Sequence, residues 1–326
     1  MPRYILQRTL QAILVLFVIS VALFWLINSA PGDPVTAMLS SDPSGVQQYS
    51  NPIEIARQRH LLGLDQPWPV RYVLWLEKAL QGDLGRSFVS HLPVSEIIVS
   101  HLVPTLVLTT TALVLALVIG VPLGVVSALK QYSVLDQLLG AIAFVGISVP
   151  GFYLAIVALY LFALKFPIFP TFGMQTLLST PTLPPVLDIA WHVLLPASVL
   201  AVGQIASYLR YMRAAVQEVM SRDFVRMASA KGAPYWRVVV RHMFPNALIP
   251  LVTLIGLSLP GLFGGTVIIE TIFAWPGLGF IGVDAVGKRD YLLVMGFNLM
   301  IGALVLGSNL LTDIVYAYVD PRIRYQ

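Results

Sequence analysis

Six long apolar runs, almost no charge inside them, and a lopsided spread of Lys and Arg predict an all-α, polytopic membrane protein with about six transmembrane helices. Of 326 residues, 57% are hydrophobic and 11% are charged, and mean hydropathy is positive. A soluble domain of this size carries roughly a quarter charged residues. Runs near 9–29, 104–129, 137–163, 193–213, 246–270 and 292–316 each approach the ~20 residues needed to cross ~30 Å of hydrocarbon. Arg210, Glu270 and Asp313 fall toward the ends of their runs, and none carries charge at its centre.

In chain order, Arg3 and Arg8 precede the first run. It is longer than a signal-peptide core, and Asn28-Ser29-Ala30 is a poor cleavage site, so an uncleaved helix is expected. Residues 1–103 then form one region, this helix plus a long external segment. Within that segment "PIEIARQRHLLGLDQPWPVRYVLWLEKALQGDLG" reads as two short helices, parted where Pro67 and Pro69 cannot continue a helix. Residues 104–326 form a five-helix core with a cytoplasmic loop near 214–245. Pro122, Pro150, Pro196 and Pro260 fall inside spans and should bend them, either as ordinary membrane-helix prolines or around a pathway. Gly120 and Gly124 form a GxxxG pair, and Gly261, Gly264 and Gly265 cluster; both patterns predict close helix packing. Placing both termini in the cytoplasm puts twelve basic and five acidic residues inside, and eight basic and eleven acidic outside. That bias favours this orientation.

The most basic stretch is "SRDFVRMASAKGAPYWRVVVRHMFPNALIP", Ser221 to Pro250. Seven basic residues lie between Arg210 and Arg241. Burying them at a bilayer centre would cost on the order of 15–20 kcal/mol, so the stretch stays at the surface. It still reads as helix, tight turn, helix. Ser221 is a candidate N-cap, and Asp223 suits a first turn. Lys231 suits a last turn, Gly232 the C′ position, and Pro234 the first turn of a second helix. Phe224, Met227, Ala228 and Lys231 share one face, while Ala228, Ser229 and Ala230 are small enough for a close partner. Spacing alone leaves two readings open: a basic amphipathic loop on anionic lipid, or a docking element for a cytoplasmic partner.

This stretch resembles the EAA loop of ABC-importer permeases, in which an EAA-like start is followed six residues on by Gly and thirteen later by Pro. Here the start falls on Arg226-Met227-Ala228, the Gly on Gly232 and the Pro on Pro245. The beginning "MPRYILQRTLQAILVLFVISVALFWLINSAPGDP", then "LGLDQP", "GDLGRSF", "ETIFAWPGLGFIGVDAVGKRDY" and "DIVYAYVDPRIRY" resemble, in order, the B-type permease of dipeptide and oligopeptide importers. Met227 and Ser229 replace the usual Thr and Arg, which removes one positive charge, and Pro260 is unusual for the fifth span. The resemblance implies a type I ABC-importer permease fold in a bacterial inner membrane. It implies a coupling helix formed by Phe224, Arg226, Met227, Ala228, Ser229, Ala230, Lys231, Gly232 and Ala233, with Pro245 beyond it. It also implies four kinds of neighbour: a second permease, two ATP-binding subunits, an external substrate-binding protein, and lipid. Glu270, Asp284, Arg289 and Asp290, with Lys288, read either as a solvated rim or, by resemblance, as an external gate or binding-protein dock.

Gly282, Gly287 and Lys288 mimic P-loop spacing. Arg289 stands where Mg²⁺ needs Ser or Thr, and no buried strand precedes the motif. No ATP site is therefore expected in this chain; ATP and Mg²⁺ would be held by partners. The five His residues show no ligand spacing, so no metal is expected, and no nucleophile–base motif marks a catalytic residue. The chain lacks Cys, and a net charge of +4 is too small to imply nucleic acid. A secondary transporter would place ionisable groups at mid-membrane, and a channel would need a ring of carbonyls or charges; neither pattern is legible. Peptide is the expected cargo, with glutathione or a nickel chelate as alternatives carried by relatives of the same type. Tyr153, Gln204, Tyr208 and Asn298 are the polar positions within or near the ends of spans.

Overall fold

The structure, a computed structural model, describes residues 2–29, 56–57, 59–60, 65–176 and 183–319. Among the described residues every regular element is helical, apart from an isolated bridge between Arg86 and Pro93. The chain divides into two units.

The first unit comprises Met1–Thr105 and Pro276–Leu306. Helix α1 (Pro2–Ser29) is an unbroken apolar helix through the expected first span. Helix α2 (Trp68–Leu80) starts directly after Pro67, which caps it, and carries Pro69 in its first turn, where a missing N–H costs nothing. These prolines therefore open a helix; the first of the two expected short helices falls mostly outside the described residues. Tyr72 and Trp75, one turn apart on α2, are buried against Phe24 of α1 with ring centroids 5.4 and 6.1 Å away. The Tyr72 hydroxyl and Ser20 Oγ share a 2.8 Å hydrogen bond. A second cluster joins Val94 and Ile98, at the start of α3 (Val94–Leu129), to Leu278 and Ile281 of α10 (Leu278–Gly287) and Leu293 of α11 (Tyr291–Val319). Gly296 permits that contact, since a Cβ there would lie 2.5 Å from Val94 Cγ1.

The second unit comprises Leu106–Trp275 and Gly307–Gln326. Helix α3 continues here and is followed by α4 (Val134–Ser148) and α5 (Gly151–Leu159), the latter extended by a π-helical turn, Tyr160–Lys165. The expected span 137–163, in which Pro150 predicts a bend, is broken by a 100° bend between α4 and α5. Pro150 is the cause. It has no N–H to continue α4, and it holds Val149 extended at φ −84°, ψ 126°. Pro196 and Pro260, by contrast, remain within continuous helices.

Helix α6 (Pro185–Met220) is far longer than the expected 193–213 run. Its 36 residues span about 54 Å, well beyond the hydrocarbon thickness, so its end stands clear of the bilayer. Then come α7 (Asp223–Ala230), α8 (Tyr235–Val238), a π-helical turn Val239–Met243, and α9 (Phe244–Ile272). The core runs through Leu108, Ala112, Ala116, Tyr208, Met212, Leu251 and Trp275. In lipid, helices gain by close packing rather than by escaping water, and small residues allow it. Gly120 and Gly124 show this directly: a Cβ on either would sit 2.8 or 2.7 Å from a backbone oxygen of α6. Gly146 of α4 packs on the same helix, facing Val202 and Ala206.

Candidate coupling site

The basic stretch folds as helix, tight turn, helix. Its start differs from expectation. Ser221 does not cap α7; it closes α6, still near the helical region at φ −80°, ψ −10°, with Oγ donating to the Glu218 carbonyl at 2.7 Å. Because α6 runs on to Met220, the backbone first turns extended at Arg222 (φ −74°, ψ 146°), which is the cap residue. The far end follows the sequence closely. Lys231 caps α7 and Gly232 takes φ +75°. The Gly232 N–H donates to Ser229 O at 3.0 Å and the Ala233 N–H to Ala228 O at 3.3 Å, the paired bonds of a Schellman stop. Pro234 caps α8 instead of lying in its first turn, and Pro245 lies in the first turn of α9.

Val225 fastens α7 to the body, buried with Val238, Val239 and Met243 against Val219, Met220 and Leu129. Ala228, expected on the outward face, is half-buried against this cluster. It lies 40° around the helix from Phe224, toward Val225. Phe224, Arg226, Met227, Ser229, Ala230, Lys231 and Gly232 are exposed, and Ala233 is half-buried. Sequence reading missed the neighbouring aromatic pair: Tyr235 and Trp236 are 54% and 67% exposed, with rings 5.9 Å apart. Their signal was a Pro followed by two aromatics at a helix start. The surface thus joins apolar knobs (Phe224, Met227, Tyr235, Trp236) to the cations Arg226, Lys231 and Arg237.

A second feature was also missed. Asp136, one of the five acidic residues that the charge count puts on the cytoplasmic side, is buried. Its carboxylate accepts from Arg213 Nε at 2.7 Å and Nη2 at 2.8 Å, from Ser127 Oγ at 2.5 Å, and from the Tyr132 N–H at 3.0 Å. Tyr132 holds φ +62° to present that N–H, a left-handed conformation costing about 1–2 kcal/mol for an L residue. Arg213 also reaches Gln217 Oε1 at 3.3 Å.

The candidates Glu270, Asp284, Arg289 and Asp290 split by burial, two buried and two exposed. Glu270 and Asp290 are fully buried. Asp290 accepts from Ser87 Oγ at 2.5 Å and from the Leu293 N–H at 3.3 Å, so it ties the stretch before α3 to the start of α11. Asp284 and Arg289 are exposed; Asp284 pairs along α10 with Lys288 at 2.8 Å. The P-loop near-match lies in α10 and its following turn, with Gly282 packed on Phe297. Of the polar span positions, the Tyr208 hydroxyl meets Ser258 Oγ at 2.6 Å and Gln204 Oε1 at 3.4 Å. Asn298 donates to the Val294 carbonyl, and Tyr153 is exposed. Asp188 is buried and accepts from the Thr176 N–H and Oγ1 at 2.8 and 2.7 Å, holding Thr176 to the first turn of α6.

Comparison with known proteins agrees with this architecture. Residues 120–325 match the family described as "Binding-protein-dependent transport system inner membrane component", and residues 1–109 match its N-terminal counterpart. The chain is 39% identical over 326 residues to the oligopeptide transport system permease protein AppB of Bacillus subtilis, covering 100% of both. It is 37% identical over 327 residues to the glutathione transport system permease protein GsiC of Escherichia coli O6:H1, again covering 100% of both. Among solved structures, an inward-facing form of the MetNI methionine ABC transporter contains a chain of similar fold. The TM-score is 0.53 at 20% identity, over 69% of this chain and 96% of that one.

Proposed function

The chain belongs to the family of binding-protein-dependent transport system inner membrane components, and on that premise we propose that it forms half of the pathway of an ATP-driven peptide importer. It is a multi-pass permease subunit of the inner membrane. The observation that carries the coupling role is α7, a capped, basic, outward-facing helix between the fourth and fifth spans, rigidly seated through Val225. Phe224, Met227, Tyr235 and Trp236 would enter a groove on an ATPase subunit, with Arg226 and Lys231 at its rim. Closure of two such ATPases around ATP and Mg²⁺ would push α7, and α6 and α9 would tilt as rigid bodies. The chain itself performs no chemistry in this scheme. A second permease completes the pathway, and an external binding protein delivers cargo. Both termini lie in the cytoplasm, which the basic residues of the α6–α9 region support.

The oligopeptide relative favours a peptide cargo, while the glutathione relative keeps a short γ-linked peptide as the second reading. A tagged pull-down from native membranes in mild detergent, read by mass spectrometry, tests the assembly. A second six-span permease and Walker-motif ATPases are the expected companions. Recovery of this chain alone, even after crosslinking, would return α7 to a lipid-facing role. ATP-dependent uptake of labelled oligopeptide against labelled glutathione into vesicles then decides the cargo.

A further inference from the structure

We propose that the Asp136–Arg213 pair is a latch that makes α3, α4 and α6 follow the coupling helix as one body, so that both are positioning residues for transport. The inference rests on α7 being the ATPase-docking element. Arg213 stands seven residues before the end of α6, about 10 Å along the axis. Val225 of α7 is packed on Val219 and Met220 in that same last stretch. A push on α7 therefore reaches the end of α6 and, through Leu129 of the same cluster, the last residue of α3.

Leu129 is a single apolar contact at the tip of α3, and α4 has no residue in that cluster, so whether both helices follow as one body depends on what joins them to α6. Farther along, the joints are Gly120 and Gly124 of α3 and Gly146 of α4 against α6. Such contacts are close but apolar, and dispersion does not fix direction against sliding or rotation. The carboxylate of Asp136 does. It collects donors from three places at once: Ser127 on α3, the Tyr132 N–H in the α3–α4 turn, and both forks of Arg213 on α6. A bidentate guanidinium sets orientation as well as distance. The Asp136 side chain is only 7% exposed and that of Arg213 31%, so removing the guanidinium leaves a carboxylate that water reaches poorly. A purely structural pair would alter assembly and leave the ATP cost of each transported molecule unchanged; a latch changes that cost.

The test uses the complete transporter, with its second permease, ATPases and binding protein, in liposomes. Two quantities are read: ATP hydrolysed per substrate imported, and crosslinking to the ATPase of the thiol in Ser229→Cys, a near-isosteric change at an exposed position of α7 that keeps every ring and cation of the docking surface. Asp136→Asn and Arg213→Gln are expected to raise the ATP cost about tenfold with the crosslink retained, within the range of mutational effects on coupling. The double variant is expected to be no worse than either single one. Arg213→Lys, which keeps the charge without the fork, and Ser127→Ala should fall between. If the two severe variants fail to assemble, these milder ones decide by the same ratio. An ATP cost within about twofold of the parent in the assembled variants, crosslink present, overturns the latch. Absence of the crosslink in the parent transporter overturns the docking reading instead, and the latch with it.

Discussion

A methyl group at Gly124 would lie 2.7 Å from both the Leu209 carbonyl oxygen and Met212 Cβ, and neither atom moves unless α6 moves. At Gly140 of α4 a Cβ meets nothing within 4 Å. Gly124→Ala should therefore destabilise by about 1–3 kcal/mol through overpacking, while Gly140→Ala should be neutral or gain up to about 1 kcal/mol. Thermal unfolding in detergent, followed by Trp fluorescence, checks the pair; equal shifts would refute the packing account. Gly232 is the opposite case, with open space but φ +75°. Gly232→Asn should be tolerated better than Gly232→Val, because Asn enters the left-handed region far more readily than a β-branched residue. Substrate import by the two variants measures this. Residue-level legibility splits along the same line. The GxxxG spacing and the C′ glycine were visible because their causes are local. Asp136 was not, since its partner Arg213 lies 77 positions away and only the packing of α4 on α6 brings them together.

Elements were legible wherever composition is uniform, and their ends were not. The runs at 104–129 and 193–213 extend to Val94 and Met220 because helices continue past the hydrocarbon into water, where charge no longer marks a boundary. Pro150 was recognised as a disturbance, yet a single residue does not state a 100° bend; that needs the extended Val149 before it. The coupling element carries its own prediction. Tyr235→Ala with Trp236→Ala removes two exposed rings. Loss of one central aromatic anchor at an interface costs about 2 kcal/mol or more. Co-purification of the ATPase should fall at least tenfold while the permease still reaches the membrane. Ala228→Glu should act differently, because it forces a carboxylate toward the Val225 cluster. It and Gly232→Pro are expected to leave the chain inserted but to uncouple transport, and normal substrate-stimulated ATPase in either would count against the coupling role.

On the scale of the molecule, apolar side chains face outward over much of the surface. Phe144 and Ile142 of α4 are 70% and 66% exposed, and Ile156 of α5 is 53% exposed. Such a surface suits lipid or a second permease and is incompatible with water. Charge supports the proposed orientation, with both termini in the cytoplasm. The turns and helices from Arg210 to Arg241 hold seven basic residues, whereas the parts that this orientation would put outside are net acidic. Because the chain contains no Cys, orientation can be read with single introduced thiols. Leu80→Cys replaces a side chain that is 81% exposed at the end of α2, and Asp284→Cys lies on the exposed side of α10. Both should react with a membrane-impermeant maleimide on intact cells whose outer envelope has been opened. Lys231→Cys, exposed beside α7, should react only after the inner membrane is permeabilised. The reverse pattern would place α7 outside, where no ATPase could reach it, and the proposed coupling would fail on topology before any question of geometry arose.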